Sequence, residues 1–128
     1  MTPRFLGFDE VLRIHQDQIT RYGGRSGIRD IALLRSALAM PSVGLAGQYL
    51  HADLIEMAAA YVFHIVRNHP FADGNKRVGV VAALVFLDLN GIEVVVPEAD
   101  LYGLIMGVAR GETSKSAIAE LLRRHCSP

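Results

Sequence analysis

The chain contains one cysteine, no tryptophan and no excess charge, with 13 Lys and Arg against 13 Asp and Glu in 128 residues. Each shortage excludes something. The single Cys126 forms no internal disulfide, which suits a reducing cytosol. It is also a poor nucleophile, because a frayed chain end does not hold a thiol against a base. Balanced charge argues against a bulk electrostatic grip on nucleic acid, which shows as a basic excess or stripe. No uncharged apolar run reaches the ~18 residues of a membrane span. The longest, "VGVVAALVFLDLNG", is short and carries Asp88. The opening "MTPRFLGFDE" lacks the apolar core of a signal peptide. The expectation is a cytoplasmic protein that touches neither membrane nor nucleic acid directly.

Apolar residues are plentiful, at 51% of the chain, and charged residues make up 20%, so a buried core is expected and disorder is not. Nearly every segment carries helical punctuation. "FDEVLRIHQDQITRYGG" starts at Asp9 as N-cap and stops at Gly23-Gly24, with Val11, Leu12, His15 and Ile19 recurring at three-to-four spacing. "RDIALLRSALAMP" takes Asp30 as cap and Pro41 as stop, and "SVGLAGQYLHA" reads as a glycine-containing loop. "DLIEMAAAYVFHIVRN" is apolar almost all round and belongs at the centre of the core. After "KRVGVVAALVFLDLN", the stretch "IEVVVP" is an extended connector, too short for an unpartnered strand. "EADLYGLIMGVARG" and "SKSAIAELLRRHC" are two further helices, the last capped by Ser114. The prediction is an all-α, compact single-domain bundle of about six helices spanning residues 1–128.

Between the two most apolar helices lies "NHPFADGNKRVG", which places His69, Asp73, Asn75, Lys76 and Arg77 at a seam of the core. Pro70 disfavours helical backbone at His69, so the preceding helix ends near Asn68, and helical character resumes near Asn75. Residues 69–74 are then a tight turn leading into a helix N-terminus. The first-turn N–H groups there lack internal partners and point forward, and Gly74 permits close approach or a positive φ. This is the design of an anion site, reinforced by Lys76 and Arg77. Asp73 would repel a phosphate but suits Mg²⁺, which is bound by one or two carboxylates together with phosphates. His69 is the one group of the turn that serves as a base near neutral pH, and Phe71 anchors the turn inward. Taken singly, a His before Pro, an Asp-Gly and a Lys-Arg pair are ordinary turn and surface features. Their conjunction at fixed spacing, opening a buried helix, reverses that preference.

"HPFADGNKR" resembles the central motif of the Fic/Doc family, His-x-Phe-x-(Asp/Glu)-Gly-Asn-Gly-Arg-x-x-Arg, at the start of a core helix. "VLRIHQDQITRYGG", "GIRDIALLRSALAMP" and "LVFLDLNG" extend the likeness to the small Doc (death-on-curing) branch of toxin–antitoxin pairs. The chain departs from the Fic pattern at Lys76, where most Fic enzymes have Gly, and at Val80, where they have a second Arg. Most Fic enzymes transfer AMP. The Doc branch shares the Asn-Lys-Arg version, and the resemblance implies a kinase that moves the γ-phosphate of ATP to a threonine of elongation factor Tu.

Carried over by position, the resemblance implies that His69 activates the target hydroxyl and that Asp73 holds Mg²⁺ and orients the incoming group. Gly74, Asn75, Lys76 and Arg77 cradle the phosphates of ATP. Arg67 is either a further positive group or a surface charge suited to a helix end. The expected partner is an antitoxin whose disordered C-terminal segment folds as a helix on binding. AMP transfer, a ribonuclease using His69 as base with Lys76 and Arg77 on the scissile phosphate, and an inactive nucleotide-binding module are the alternatives. His64 is expected to be a core or helix-contact residue, and nothing in the spacing of His15 and His51 assigns them to the cleft. "GGRSGIRD", residues 23–30, is expected to be an ordinary flexible turn, with bordering the site as the alternative.

Overall fold

The chain describes residues 2–127 in a computed structural model, and six α-helices carry the architecture. They are α1 (Phe8–Tyr22), α2 (Ile31–Ala39), α3 (Leu54–Asn68), α4 (Asn75–Leu89), α5 (Glu98–Ala109) and α6 (Lys115–Arg124). The all-α expectation holds, and most boundaries follow the local chemistry. Asp30, Asp53 and Ser114 each accept a hydrogen bond from the backbone N–H three residues on, as N-caps do. α1 differs: it begins before Asp9, with Gly7 as cap, and the Gly7 N–H donates to Glu10 Oε1 at 2.9 Å. Asp9 sits in the first turn instead, where its charge suits the helix dipole.

α3 is the hub. Ile55, Met57 to Val62, Ile65 and Val66 are buried, and the helix packs against α4 above all, then α6, α2 and α5. Its three consecutive alanines, Ala58 to Ala60, let neighbours approach on several sides. Gly79 does the same on α4, since a Cβ there would lie 3.1 Å from Val66 Cγ2 and 3.4 Å from the Val62 carbonyl oxygen. The large buried side chains Tyr61, Phe71 and Phe86 fill the space that remains. The end of α3 and the start of α4 are therefore held by the buried core.

Two connections differ from the sequence expectation. Residues 44–49 form a small antiparallel hairpin, β1 (Gly44–Leu45) and β2 (Gln48–Tyr49), around Ala46 and Gly47, both at positive φ. Two positive-φ residues in a two-residue turn match the twist of a hairpin. The C-terminal segment is not frayed: Val94 and Cys126 form an antiparallel bridge, and the Ser127 N–H donates to the Glu93 carbonyl at 2.9 Å. The extended connector 92–97 thus finds a backbone partner in residues distant in sequence. No helix is long and apolar enough to cross a membrane among the described residues.

Candidate active site

The turn between α3 and α4 begins with an unusual backbone. His69 adopts the left-handed conformation, φ 50° and ψ 53°, while its N–H still donates to the Ile65 carbonyl. This reverses the chain after Asn68 and leaves His69 exposed beside buried Pro70 and Phe71. Gly74, at φ 79°, is the N-cap of α4. Val78 N–H is the first to make a helical bond, to the Gly74 carbonyl, so the preceding amides of the first turn face outward from the helix end.

Asn75 organises this turn from within. Its side chain is 4% exposed. Oδ1 accepts from the Phe71 N–H at 2.9 Å, and Nδ2 donates to the Phe71 carbonyl at 3.1 Å and to His69 Nδ1 at 3.1 Å. The Asn75 amide therefore faces the turn and the histidine. Phe71 is held on its other face by His15 of α1: the rings lie 4.0 Å apart and nearly parallel, and His15 Nε2 donates to the Asp73 carbonyl at 2.9 Å.

Residues 23–30 are a strap bound along the turn, and not the ordinary flexible turn expected. Arg29 and Asp30 N–H groups donate to the Pro70 carbonyl at 2.7 and 3.0 Å, and Ala72 N–H donates to the Gly27 carbonyl. The Arg29 guanidinium donates to the carbonyls of His69 and Asn68 at 2.7 and 3.1 Å. These contacts hold the left-handed residue from outside. Asp73 Oδ2 accepts from the Arg25 N–H and Oδ1 from the Gly74 N–H. Those two bonds, with Arg77 and Arg25 nearby, keep the exposed Asp73 carboxylate below its ordinary pKa and hence ionised.

Arg77 projects from the first turn of α4 toward the same strap. One of its terminal nitrogens donates to the Gly23 carbonyl at 3.0 Å, and its guanidinium lies 5.5 Å from the Tyr22 ring centroid. Arg77 Nε is buried without a hydrogen-bond partner among the described residues. A buried unpaired donor on a cation is costly. Lys76 and Arg77 border a groove of about 560 Å³ whose apolar wall includes Val80, Val81, Leu101 and Tyr102. Two cations of the first turn of α4 thus border a mostly apolar groove, which Glu98 also lines, and the Asp73 carboxylate lies in the turn just before them.

A sequence model described as the Fic/DOC family matches residues 5–87, which contain α1 to most of α4 and the whole turn. The chain belongs to the Fic/DOC family. Two relatives bear Doc names. It is 35% identical over 121 residues to "Protein kinase doc" of Escherichia phage P1, covering 94% of each chain. It is 39% identical over 72 residues to "Toxin Doc" of Mycolicibacterium smegmatis, covering 56% of this chain and 55% of that one.

Within this Fic/DOC chain the structure brings His69, Asp73, Gly74, Asn75, Lys76 and Arg77 into one turn and the helix end that follows it. Arg67 sends its hydrogen bonds elsewhere, to the Val108 and Ala109 carbonyls at 3.4 Å, at the C-terminal end of α5. A cation suits that end of a helix dipole. His64 is a helix contact, as expected. Lys115 Nζ of α6 lies 3.0 Å from both His64 Nε2 and His51 Nε2. Burial first, and then the Lys115 charge, push the His64 pKa down to about 4.

Three supporting residues escaped the sequence reading. His15 was visible only as a polar residue on an apolar stripe of α1, while Arg29 and Gly24 sit in a loop whose composition says merely "turn". A Cβ on Gly24 would lie 2.8 Å from Asp73 Oδ2, a closeness no local pattern reveals.

Proposed function

We propose that this protein is the toxin of a bacterial type II toxin–antitoxin pair, acting in the cytoplasm as a phosphotransferase. It moves the γ-phosphate of ATP, with Mg²⁺, to a threonine hydroxyl of elongation factor Tu and so stops translation. The observation that carries this reading is Arg77. Its guanidinium lines the groove with Lys76 and acts on the ionised Asp73 at the N-terminus of α4, which puts a phosphate clamp next to a metal ligand. The relative named a protein kinase, aligned over 94% of both chains, supports the choice of reaction.

The residues fit the groups the reaction needs. Each Asp73 oxygen accepts one backbone N–H and keeps a free lone pair for Mg²⁺. Among the described residues no three His, Cys, Asp or Glu side chains converge as a metal site, and Mg²⁺ held by one carboxylate and phosphates needs no such group. The apolar groove beside Lys76 and Arg77 accepts a nucleoside, and the first-turn amides of α4 with these two cations accept its phosphates. Bound ATP and Mg²⁺ supply the phosphoryl group and neutralise its charge. His69, exposed at the rim, meets the incoming hydroxyl. The expected regulator is an antitoxin with a disordered C-terminal segment that folds on binding.

The test is transfer from ATP labelled on either the γ- or the α-phosphate, with Mg²⁺, a bacterial translation extract and His69→Ala as control. Label from γ alone, on a protein the size of elongation factor Tu, is the expected result. Label from α means AMP transfer. No label with RNA degraded means a ribonuclease, and no label with RNA intact means a binding protein.

A further inference from the structure

Of the 13 Lys and Arg residues only two are lysines, Lys76 in the turn motif and Lys115. Lys115 is the first residue of α6, where a cation opposes the helix dipole. No carboxylate pairs with it among the described residues. Its Nζ lies 3.0 Å from His51 Nε2 and 3.0 Å from His64 Nε2, and Phe63 offers only a ring face at 5.8 Å. An ammonium only donates, so both ring nitrogens accept and both neutral imidazoles carry their proton on Nδ1. A neutral amine has two N–H groups, as many as these acceptors. Loss of a proton from Lys115 therefore breaks neither hydrogen bond and frees a lone pair. Burial pulls the Lys115 pKa down and works in the same direction. An arginine here would never release its proton.

The amine is also reachable. Lys115 lines a cavity of about 450 Å³ between α3 and α6. Glu56 and Glu120 on its wall balance Lys115 and Arg123, so the cavity does not attract a large polyanion. We infer that Lys115 is a nucleophilic amine and a site of covalent modification, acylated by small acyl phosphates that enter this cavity. The Nζ lone pair forms a bond to the acyl carbon. The bond from that carbon to the phosphate oxygen breaks, and inorganic phosphate leaves with the electron pair. The nitrogen sheds one proton to His64 Nε2, the less buried of the two rings, which hands it to solvent. Arg123 spends one N–H on Asp53 and keeps others for the departing phosphate.

Acylation changes the contact in which it occurs. The amide product has one N–H, so Lys115 keeps only one of its two histidine contacts, and its charge is gone. Both rings then lose the cation that opposes their protonation. His64 belongs to α3, whose C-terminal end leads into the candidate active site.

The test needs neither nucleotide nor target and is independent of the phosphotransfer reading. The intact protein is treated with acetyl phosphate, either folded or unfolded in guanidinium chloride, with a lysine-containing peptide in both samples as reference. Acetylation of each lysine is followed in time by peptide mass spectrometry. Lys115 is expected to react several-fold faster in the folded chain than in the unfolded one, where it is an ordinary lysine. An equal or slower rate in the folded chain overturns the inference. His64→Gln keeps an acceptor for Lys115 but takes up no proton. In that variant the folded rate at Lys115 is expected to fall several-fold while Lys76 is unchanged. A folded His64→Gln chain that reacts at Lys115 as fast as wild type overturns the assignment of His64 as the proton acceptor.

Discussion

His15 lies flat against Phe71, ring centroids 4.0 Å apart and planes within 7°, while its Nε2 donates to the Asp73 carbonyl at 2.9 Å. One side chain of α1 thus grips the turn at two points, an aromatic anchor and the backbone of the proposed metal ligand. The packing and the hydrogen bond are separable. His15→Phe keeps the stack and leaves the carbonyl without its donor, for an expected loss of about 1–3 kcal/mol. His15→Ala removes both and opens a cavity, and costs more, roughly 3–5 kcal/mol. Urea unfolding of the two variants checks the order, and a His15→Phe as stable as wild type would show that the hydrogen bond adds nothing.

Arg77 is expected to govern nucleotide affinity more than turnover. Its guanidinium has one bond to the Gly23 carbonyl and, among the described residues, a buried Nε without a partner. Replacement by Ala removes a charge-assisted clamp worth about 1.5–3 kcal/mol, or on the order of tenfold to a hundredfold in Kd. Calorimetric titration of Mg-ATP into Arg77→Ala and His69→Ala distinguishes the two. Binding is weakened by that factor in the first and kept in the second, and the reverse order would contradict the assignment of the phosphate site.

Gly23 and Gly24 are adjacent, yet their substitution should differ. Both have positive φ, 81° and 113°. A Cβ at Gly23 meets nothing within 4 Å, whereas at Gly24 it meets Asp73 Oδ2 at 2.8 Å and Ile19 Cδ1 at 3.2 Å. Gly23→Ala carries the backbone cost alone, about 1–3 kcal/mol, because φ 81° with ψ −179° is a region kept almost entirely to glycine. Gly24→Ala adds a clash costing ~1–3 kcal/mol more and pushes the strap away from the carboxylate. Amide exchange at Arg25, whose N–H donates to Asp73, should speed up in Gly24→Ala. Equal exchange in both variants would mean that the strap tolerates the side chain.

The His51–Lys115–His64 cluster makes stability pH-dependent. The His64 pKa is depressed from 6.5 to about 4, and that of His51 is lowered as well, burial being the first cause in each. In the unfolded chain both rings take up protons near pH 6.5, whereas the folded state resists. Stability is therefore complete above pH 6.5 and falls as pH drops from there toward 4. His64→Gln, which keeps an acceptor for Lys115, should flatten the fall by up to one proton. Thermal melts between pH 7.5 and 4.5 check it, and a parallel decline in both proteins would remove His64 as the cause.

Much of the fold was legible because its signals are local. Asp30 and Ser114 cap helices through bonds three residues long, and Pro70 with Gly74 delimits the turn by their own backbone limits. The same locality made one cap wrong, since Gly7 and Glu10 start α1 where Asp9 is the more usual capping residue. The chemistry-bearing residues of the motif were legible too, because His69, Asp73, Lys76 and Arg77 lie within a single turn and the start of one helix.

What sequence by itself determined is therefore the set of helices, the turn and the types of group brought to it. Tertiary structure decided which way those groups face and what they can do. Asn75 looks like a cradle residue in sequence, but packing turns its amide inward onto Phe71 and His69. His15 and residues 23–30 reach the turn from far along the chain. The physical reason is the range of the interactions. Backbone limits and caps act over three or four residues, whereas the direction of a hydrogen bond depends on partners that only the folded core brings within 3 Å or so.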